Sequence, residues 1–146
     1  MRRLAIFLTC AVFCGTMLGA DIYDPKADGK KLIASALELA KKENRHVLLD
    51  FGANWCPPCH SLHQLFQSNT AIREKLAASY VLVMIDTNED RNHDVNLRYG
   101  TPTLRGLPVL VVLDSGGNQV FTQDTSGFES GKNYDAKKVL AFLNKW

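Results

Sequence analysis

The chain has 146 residues, 46% of them apolar, enough for one domain with a real core and too few for two. Lys and Arg number 17 against 15 Asp and Glu, and the excess is no more than the pair Arg2 and Arg3 at the start. Nothing remains of the broad positive field that nucleic-acid binding requires, so nucleic-acid partners are excluded.

Residues 1–20 read as a secretory signal peptide. A basic start at Arg2 and Arg3 is followed by an apolar stretch from Leu4 to Met17 and by the small residues Gly19 and Ala20, with cleavage expected after Ala20. The stretch is short for a bilayer span, which takes about 20 apolar residues. No stable membrane insertion is therefore expected after cleavage. Neither Cys10 nor Cys14 follows the Leu-x-small triplet of a lipoprotein signal. Residues 21–146 then form the mature domain, with no net formal charge because two Arg leave with the signal. Its cysteines are Cys56 and Cys59 alone. So close a pair shuts a tiny loop and adds little chain-entropy stabilisation, which makes chemistry its purpose.

From Asp21 to Lys26 the chain reads as an extended lead-in. Leu32, Ile33, Ala36, Leu37 and Ala40 mark an amphipathic helix capped by Asp28 and fading near Glu43–Arg45. His46 to Ala53 is a continuous apolar run, the pattern of a buried central strand. A helix starts at Cys56 or Pro57 and carries Leu62, Leu65, Phe66, Ile72 and Leu76, with a break around residues 68–70. Tyr80 to Ile85 is a second buried strand closed by Asp86. Asn88 to Arg98 reads as a weaker helix, and Tyr99 to Leu107 as a loop with Gly100, Pro102 and Gly106. Val109 to Leu113 and Gln119 to Thr122 form a hairpin about the turn Asp114–Asn118. Asp135 caps a last helix whose Val139, Phe142, Leu143 and Trp146 share one face. The order predicts a parallel βαβ unit running into an antiparallel hairpin, an α/β fold with helices on both faces.

Between the first strand and the second helix stands Trp55-Cys-Pro-Pro-Cys-His60. Structural zinc needs two more soft ligands, and only His46, His60, His63 and His93 are available. The string also satisfies the c-type haem pattern, but the two prolines and the strand–helix setting point away from it. Redox chemistry is the favoured reading. At a helix start, free N–H groups and the positive end of the dipole stabilise a Cys56 thiolate, while Cys59 lies one turn in, within reach of a disulfide. Pro57 and Pro58 stiffen that turn without losing an intrahelical hydrogen bond.

The stretch from Val47 to Cys59 resembles the active-site strand and helix start of the thioredoxin-like superfamily, and Arg105-Gly-Leu-Pro-Val109 resembles its cis-proline segment. The chain is most similar to the secreted or periplasmic members. The resemblance implies a thioredoxin-like fold, a central mixed sheet flanked by helices on both faces. It implies a thiol–disulfide oxidoreductase in which Cys56 attacks and Cys59 resolves. Asp50 matches the family's buried acid, Pro108 the cis-proline, and Leu107 the residue whose backbone pairs with an extended substrate. The implied partners are disulfide- or dithiol-containing proteins and a membrane or secreted redox partner. The domain is expected to be a monomer, in the periplasm of a Gram-negative cell or secreted elsewhere, with no metal and no organic cofactor.

Two readings of Asp50 stand: a general base for Cys59, directly or through water, or a strand-end acid facing water. Trp55 is either a substrate contact or a lid packed over the core. His60 and His63 read as solvated helix residues, with a charge on His60 as a second means of favouring the Cys56 thiolate. Arg105 reads as a loop cation. The sequence departs from the family at Leu82, where a lysine usually neighbours the buried acid, at Gly52, which leaves room beside the cysteines, and at Pro57. All three, with Pro58, bear on the redox potential, and the direction of exchange stays open. The rival reading is a secreted thioredoxin-like protein that binds copper or an unfolded chain without turnover, since copper(I) favours thiolates.

Overall fold

A computed structural model describes residues 21–146; the expected signal segment, residues 1–20, lies outside the described residues. Asp28 opens helix α1 (Gly29–Glu43) by accepting the Lys31 N–H, and Asn44 closes it in the left-handed conformation at φ 52°. Its buried stripe of Ile33, Ala36 and Ala40 lies on one face of the sheet.

Strand β1 (His46–Gly52) runs through the middle of that sheet, which explains its unbroken apolar run. It pairs in parallel with β2 (Tyr80–Asp86) and antiparallel with β3 (Val109–Leu113), and β3 pairs with β4 (Gln119–Asp124) to give the order β2-β1-β3-β4. Val47, Leu49 and Phe51 point to the α1 side. Leu48 points the other way, into a core formed with α2 (Pro57–Ser68), α3 (Thr70–Ser79) and α5 (Ala136–Leu143). The sheet is mixed and covered on both faces, as expected. Among the described residues no helix is long and apolar enough to cross a membrane.

The break expected around residues 68–70 falls on Asn69. It ends α2 in extended conformation, and its side chain accepts the Ile72 N–H to start α3. At the far end, Asp135 caps α5 through the Lys137 and Lys138 N–H groups, and Trp146 stacks 5.3 Å from Phe121. The buried Tyr80 hydroxyl donates to the Leu143 carbonyl at 2.8 Å, joining the start of β2 to the last helix.

Three expectations need correction. The helix expected over residues 88–98 is a single 3₁₀ turn at Asn88–Asp90 followed by a short α4 (His93–Arg98), with positive φ at Glu89, Asp90 and Asn92. The cause is side-chain competition with the helical backbone. Asn92 donates to the Asp86 carbonyl and accepts the Gly29 N–H, fastening the loop between β2 and α1. Strand β4 runs two residues past Thr122, to Asp124. The loop beyond it contains a 3₁₀ turn at Thr125–Phe128 and a small ribbon of β5 (Glu129–Ser130) and β6 (Asn133–Tyr134).

Replacing Tyr80 with Phe leaves the Leu143 carbonyl without its buried donor. Urea unfolding is expected to show a loss of about 1–3 kcal/mol with little change in the slope.

Candidate active site

Strand β1 ends beside the cysteines, and the three residues after it set the site. Cys56 is the N-cap of α2, and it forms a disulfide with Cys59 across a Cα–Cα distance of 5.3 Å. Pro57 and Pro58 occupy the first two helical positions and have no N–H. The first amide of the helix is therefore the Cys59 N–H, shared between the Cys56 carbonyl at 3.1 Å and the Cys56 sulfur at 3.4 Å. A reduced Cys56 would meet this amide and the positive helix end together, which favours its thiolate. Cys59 is fully buried, while Cys56 keeps 3% of its surface exposed.

Asp50 is fully buried on the Leu48 side of β1, so it is not a strand-end acid facing water. Opposite it stand Met84 on β2 and Leu110 on β3. Leu82, where the family carries a lysine, pairs with Leu48, one step along the same face, and no ion pair reaches Asp50 among the described residues. Burial pushes its carboxyl up to about 7, against the weaker downward pull of a hydrogen bond from Tyr23. That hydroxyl donates to Asp50 Oδ1 at 2.9 Å, and Oδ2 is buried with no partner.

Tyr23 is the site residue that sequence reasoning missed. The lead-in is a strap: Asn54 accepts the Ile22 and Tyr23 N–H groups at 3.0 Å each and donates to the Tyr23 carbonyl at 2.8 Å. The space that Gly52 was expected to leave is filled. A Cβ at Gly52 would lie under 3.0 Å from both the Tyr23 hydroxyl and the Cys59 sulfur. The visible signal was an aromatic in a polar lead-in and a glycine in an apolar strand, with nothing local to connect them.

Trp55 is 67% exposed and donates to Asn88 Oδ1, so it stands on the surface and is not a lid over the core. His60 is half-buried, not solvated. Its Nε2 lies 2.6 Å from the Asn54 carbonyl, and since a carbonyl can only accept, that nitrogen carries the proton. His63 is also half-buried, and burial followed by His60 holds its imidazole below the usual range. Leu107 packs against the cluster of Tyr23, Ala53, Cys56 and Cys59. The Leu107–Pro108 peptide bond is cis, and Thr125 Oγ1 donates to the Pro108 carbonyl. Arg105 is exposed on the loop, away from these contacts.

Residues 33–137 match the thioredoxin-like domain family. The chain belongs to that family. Its fold follows that of a disulphide isomerase from Xylella fastidiosa Temecula1, with a TM-score of 0.77, 30% identity, and coverage of 85% of this chain and 95% of the other. It is also 32% identical over 92 residues to the thiol:disulfide interchange protein DsbD of Vibrio vulnificus, covering 63% of this chain and 15% of that protein. The match to DsbD of Actinobacillus pleuropneumoniae is 26% over 108 residues, 74% of this chain and 17% of the other. The chain thus spans about one sixth of the length of these curated relatives. Its Cys56 and Cys59 stand at disulfide distance, an arrangement consistent with a redox pair in this family.

The raised Asp50 titration has a consequence for stability. Between about pH 4 and pH 7 the folded protein holds a proton on Asp50 that the unfolded chain releases. Stability linked to Asp50 is therefore fully present below the unfolded value of 3.8 and falls as pH rises through about 7. In the oxidised protein Asp50→Asn is expected to flatten this part of the stability–pH curve, measured by denaturant unfolding from pH 4 to 8.

Proposed function

We propose that this domain exchanges disulfides with protein substrates, with Cys56 as the nucleophile and Cys59 as the resolving thiol. The observation that carries the reading is the Cys56–Cys59 disulfide at the N-cap of α2, with the second cysteine fully buried. In the reducing direction, the Cys56 thiolate attacks one sulfur of a substrate disulfide and the other leaves as a thiolate. Cys59 then gives up its proton, attacks the Cys56 sulfur and forms the intramolecular disulfide, while the second substrate sulfur leaves. Two electrons pass from the dithiol to the substrate. The reverse sequence hands the disulfide to a substrate dithiol, and the potential of the pair against its compartment sets the direction.

Asp50 serves as the base that takes the Cys59 proton, and as its donor in reverse. A carboxyl that titrates near 7 exchanges protons readily at neutral pH. The cis Leu107–Pro108 segment offers backbone to an extended substrate, and the exposed Trp55, next to Cys56 in the chain, supplies apolar contact. Pro57 and Pro58, by leaving the Cys59 amide as the first donor to the sulfur, tune the thiolate, and His60 braces the Asn54 backbone beside it.

The domain works outside the cytoplasm as a monomer after removal of residues 1–20, in a bacterial periplasm or a secreted space, and takes its electrons from or gives them to a membrane or secreted redox partner. The basic-then-apolar start supports the location. Intact-mass analysis of exported protein is expected to begin at Asp21; a retained Met1 overturns export with cleavage.

Substitution of Cys59 with Ser should trap a mixed disulfide between Cys56 and a protein substrate, visible as a reductant-sensitive adduct. Cys56→Ser should trap nothing and leave exchange at the uncatalysed rate. A Cys56→Ser variant that still turns over a model disulfide overturns the reading. Tight copper(I) binding with no turnover in the wild type would replace it with the binding-protein alternative.

A further inference from the structure

Tyr23 takes no part in the exchange steps above, yet it is fully buried against the disulfide and held there from three sides. Asn54 grips its backbone on both N–H and carbonyl, Gly52 gives up a side chain to admit its ring, and Asp50 accepts its hydroxyl. It also lies ahead of residues 33–137, the span matched to the family. A tyrosine that only filled space would not need its hydroxyl beside the buried acid and the resolving sulfur.

We propose that Tyr23 is a positioning residue of the resolving step: its hydroxyl, clamped beside Cys59, fixes the Asp50 carboxyl through Oδ1 and leaves Oδ2 as the atom that exchanges a proton with Cys59. This rests on the exchange reading above. Oδ2 is buried without a hydrogen-bond partner, a costly state for a carboxylate and one that an arriving proton relieves. Tyr23 itself stays protonated, because burial first and Asp50 second hold its hydroxyl well above the usual range. It therefore remains a donor wherever Asp50 titrates.

The chemistry balances. As Cys59 loses its proton to Oδ2, its electron pair forms the bond to the Cys56 sulfur, and the bond from Cys56 to the substrate sulfur breaks to release a thiolate. Throughout, the Tyr23 hydrogen bond holds the carboxyl in place and stabilises its ionised form. The other titratable groups around the pair are few. Tyr134 on β6 and Asp86 at the end of β2 act on Tyr23 from a distance, and Arg91 pairs with Asp86 at 3.3 Å. Met84 and Leu110, opposite Asp50 on the neighbouring strands, bring no charge. On α2, His60 is engaged with Asn54.

The test is Tyr23→Phe, which keeps the ring and removes the donor. Loss of a hydrogen bond to the charged form raises an acid's pKa. In the reduced variant, carbon-13 NMR of the Asp50 carboxyl is expected to show its midpoint about one unit above the wild type. Release of a chromogenic aryl thiol from a Cys56 mixed disulfide should shift its pH profile upward by the same amount, while the initial attack by Cys56 stays within about twofold. In an Asp50→Asn background, Tyr23→Phe should move neither profile. Should Tyr23→Phe not fold, Asn54→Ala loosens the strap with the hydroxyl intact, and a smaller shift of the same sign is expected. An unchanged Asp50 midpoint, or a release rate lowered equally at every pH, overturns the proposal. A wild type that forms no mixed disulfide at Cys56 overturns the exchange reading instead, and the Asp50 titration, which needs no substrate, still decides the role of Tyr23.

Discussion

Asp50 lies in the middle strand of a sheet covered on both faces, where an ionised carboxylate is costly unless it is partnered, and its partner is the hydroxyl of Tyr23. Much of the site follows from that one buried group. Accommodating Tyr23 requires the glycine at position 52, since any side chain there would strike both the hydroxyl and the Cys59 sulfur. Keeping Tyr23 in place requires the strap, and holding the strap requires Asn54, which sits between the end of β1 and Trp55. The residues just ahead of Cys56 thus serve the carboxyl as much as they serve the cysteines.

The two cysteines experience this arrangement differently. Cys56 is controlled by the helix: it caps α2, meets the first amide that two prolines leave available, and keeps a small opening to solvent. Cys59 is fully buried against Tyr23 and Ala53, and the same Tyr23 donates its hydroxyl to Asp50. With a neutral donor in place of a lysine, the Asp50 carboxyl stays near 7, because burial pushes it up and a hydrogen bond from an uncharged hydroxyl only partly offsets it.

The cis-proline side is anchored separately. Thr125, in the 3₁₀ turn after β4, donates to the Pro108 carbonyl and lies 3.3 Å from the Tyr134 hydroxyl. The small β5–β6 ribbon and the cis-proline segment are thereby tied to one another, and Asp50 is one of the groups that hold the Tyr134 hydroxyl above its usual range, after burial. The site is closed by two segments from opposite ends of the domain, a strap before α1 and a ribbon before α5.

Much of this was legible in the sequence. The runs at residues 46–52 and 109–113, the stripe on α1, the Asp28 and Asp135 caps and the break at Asn69 are local patterns, and a local pattern is sufficient for an element whose neighbours need only be apolar. The pairing of Cys56 with Cys59 is local too, one helical turn apart. What the sequence could not express is contact across the fold. Tyr23 and Asp50 are 27 positions apart, and their hydrogen bond exists only because β1 and the strap end at the same place. Asn92 breaks its helix because Gly29 and Asp86 are beside it, 63 and 6 residues away. Met84 stands directly across from Asp50, with Leu82 one step along the same face, because register, set by the packing of whole strands, decides which side chains face each other. Sequence by itself determined the elements and the reactive pair, since these depend on spacing along the chain. Tertiary structure decided the surroundings of the acid, since burial and hydrogen-bond partners depend on what the fold brings within about 3 Å.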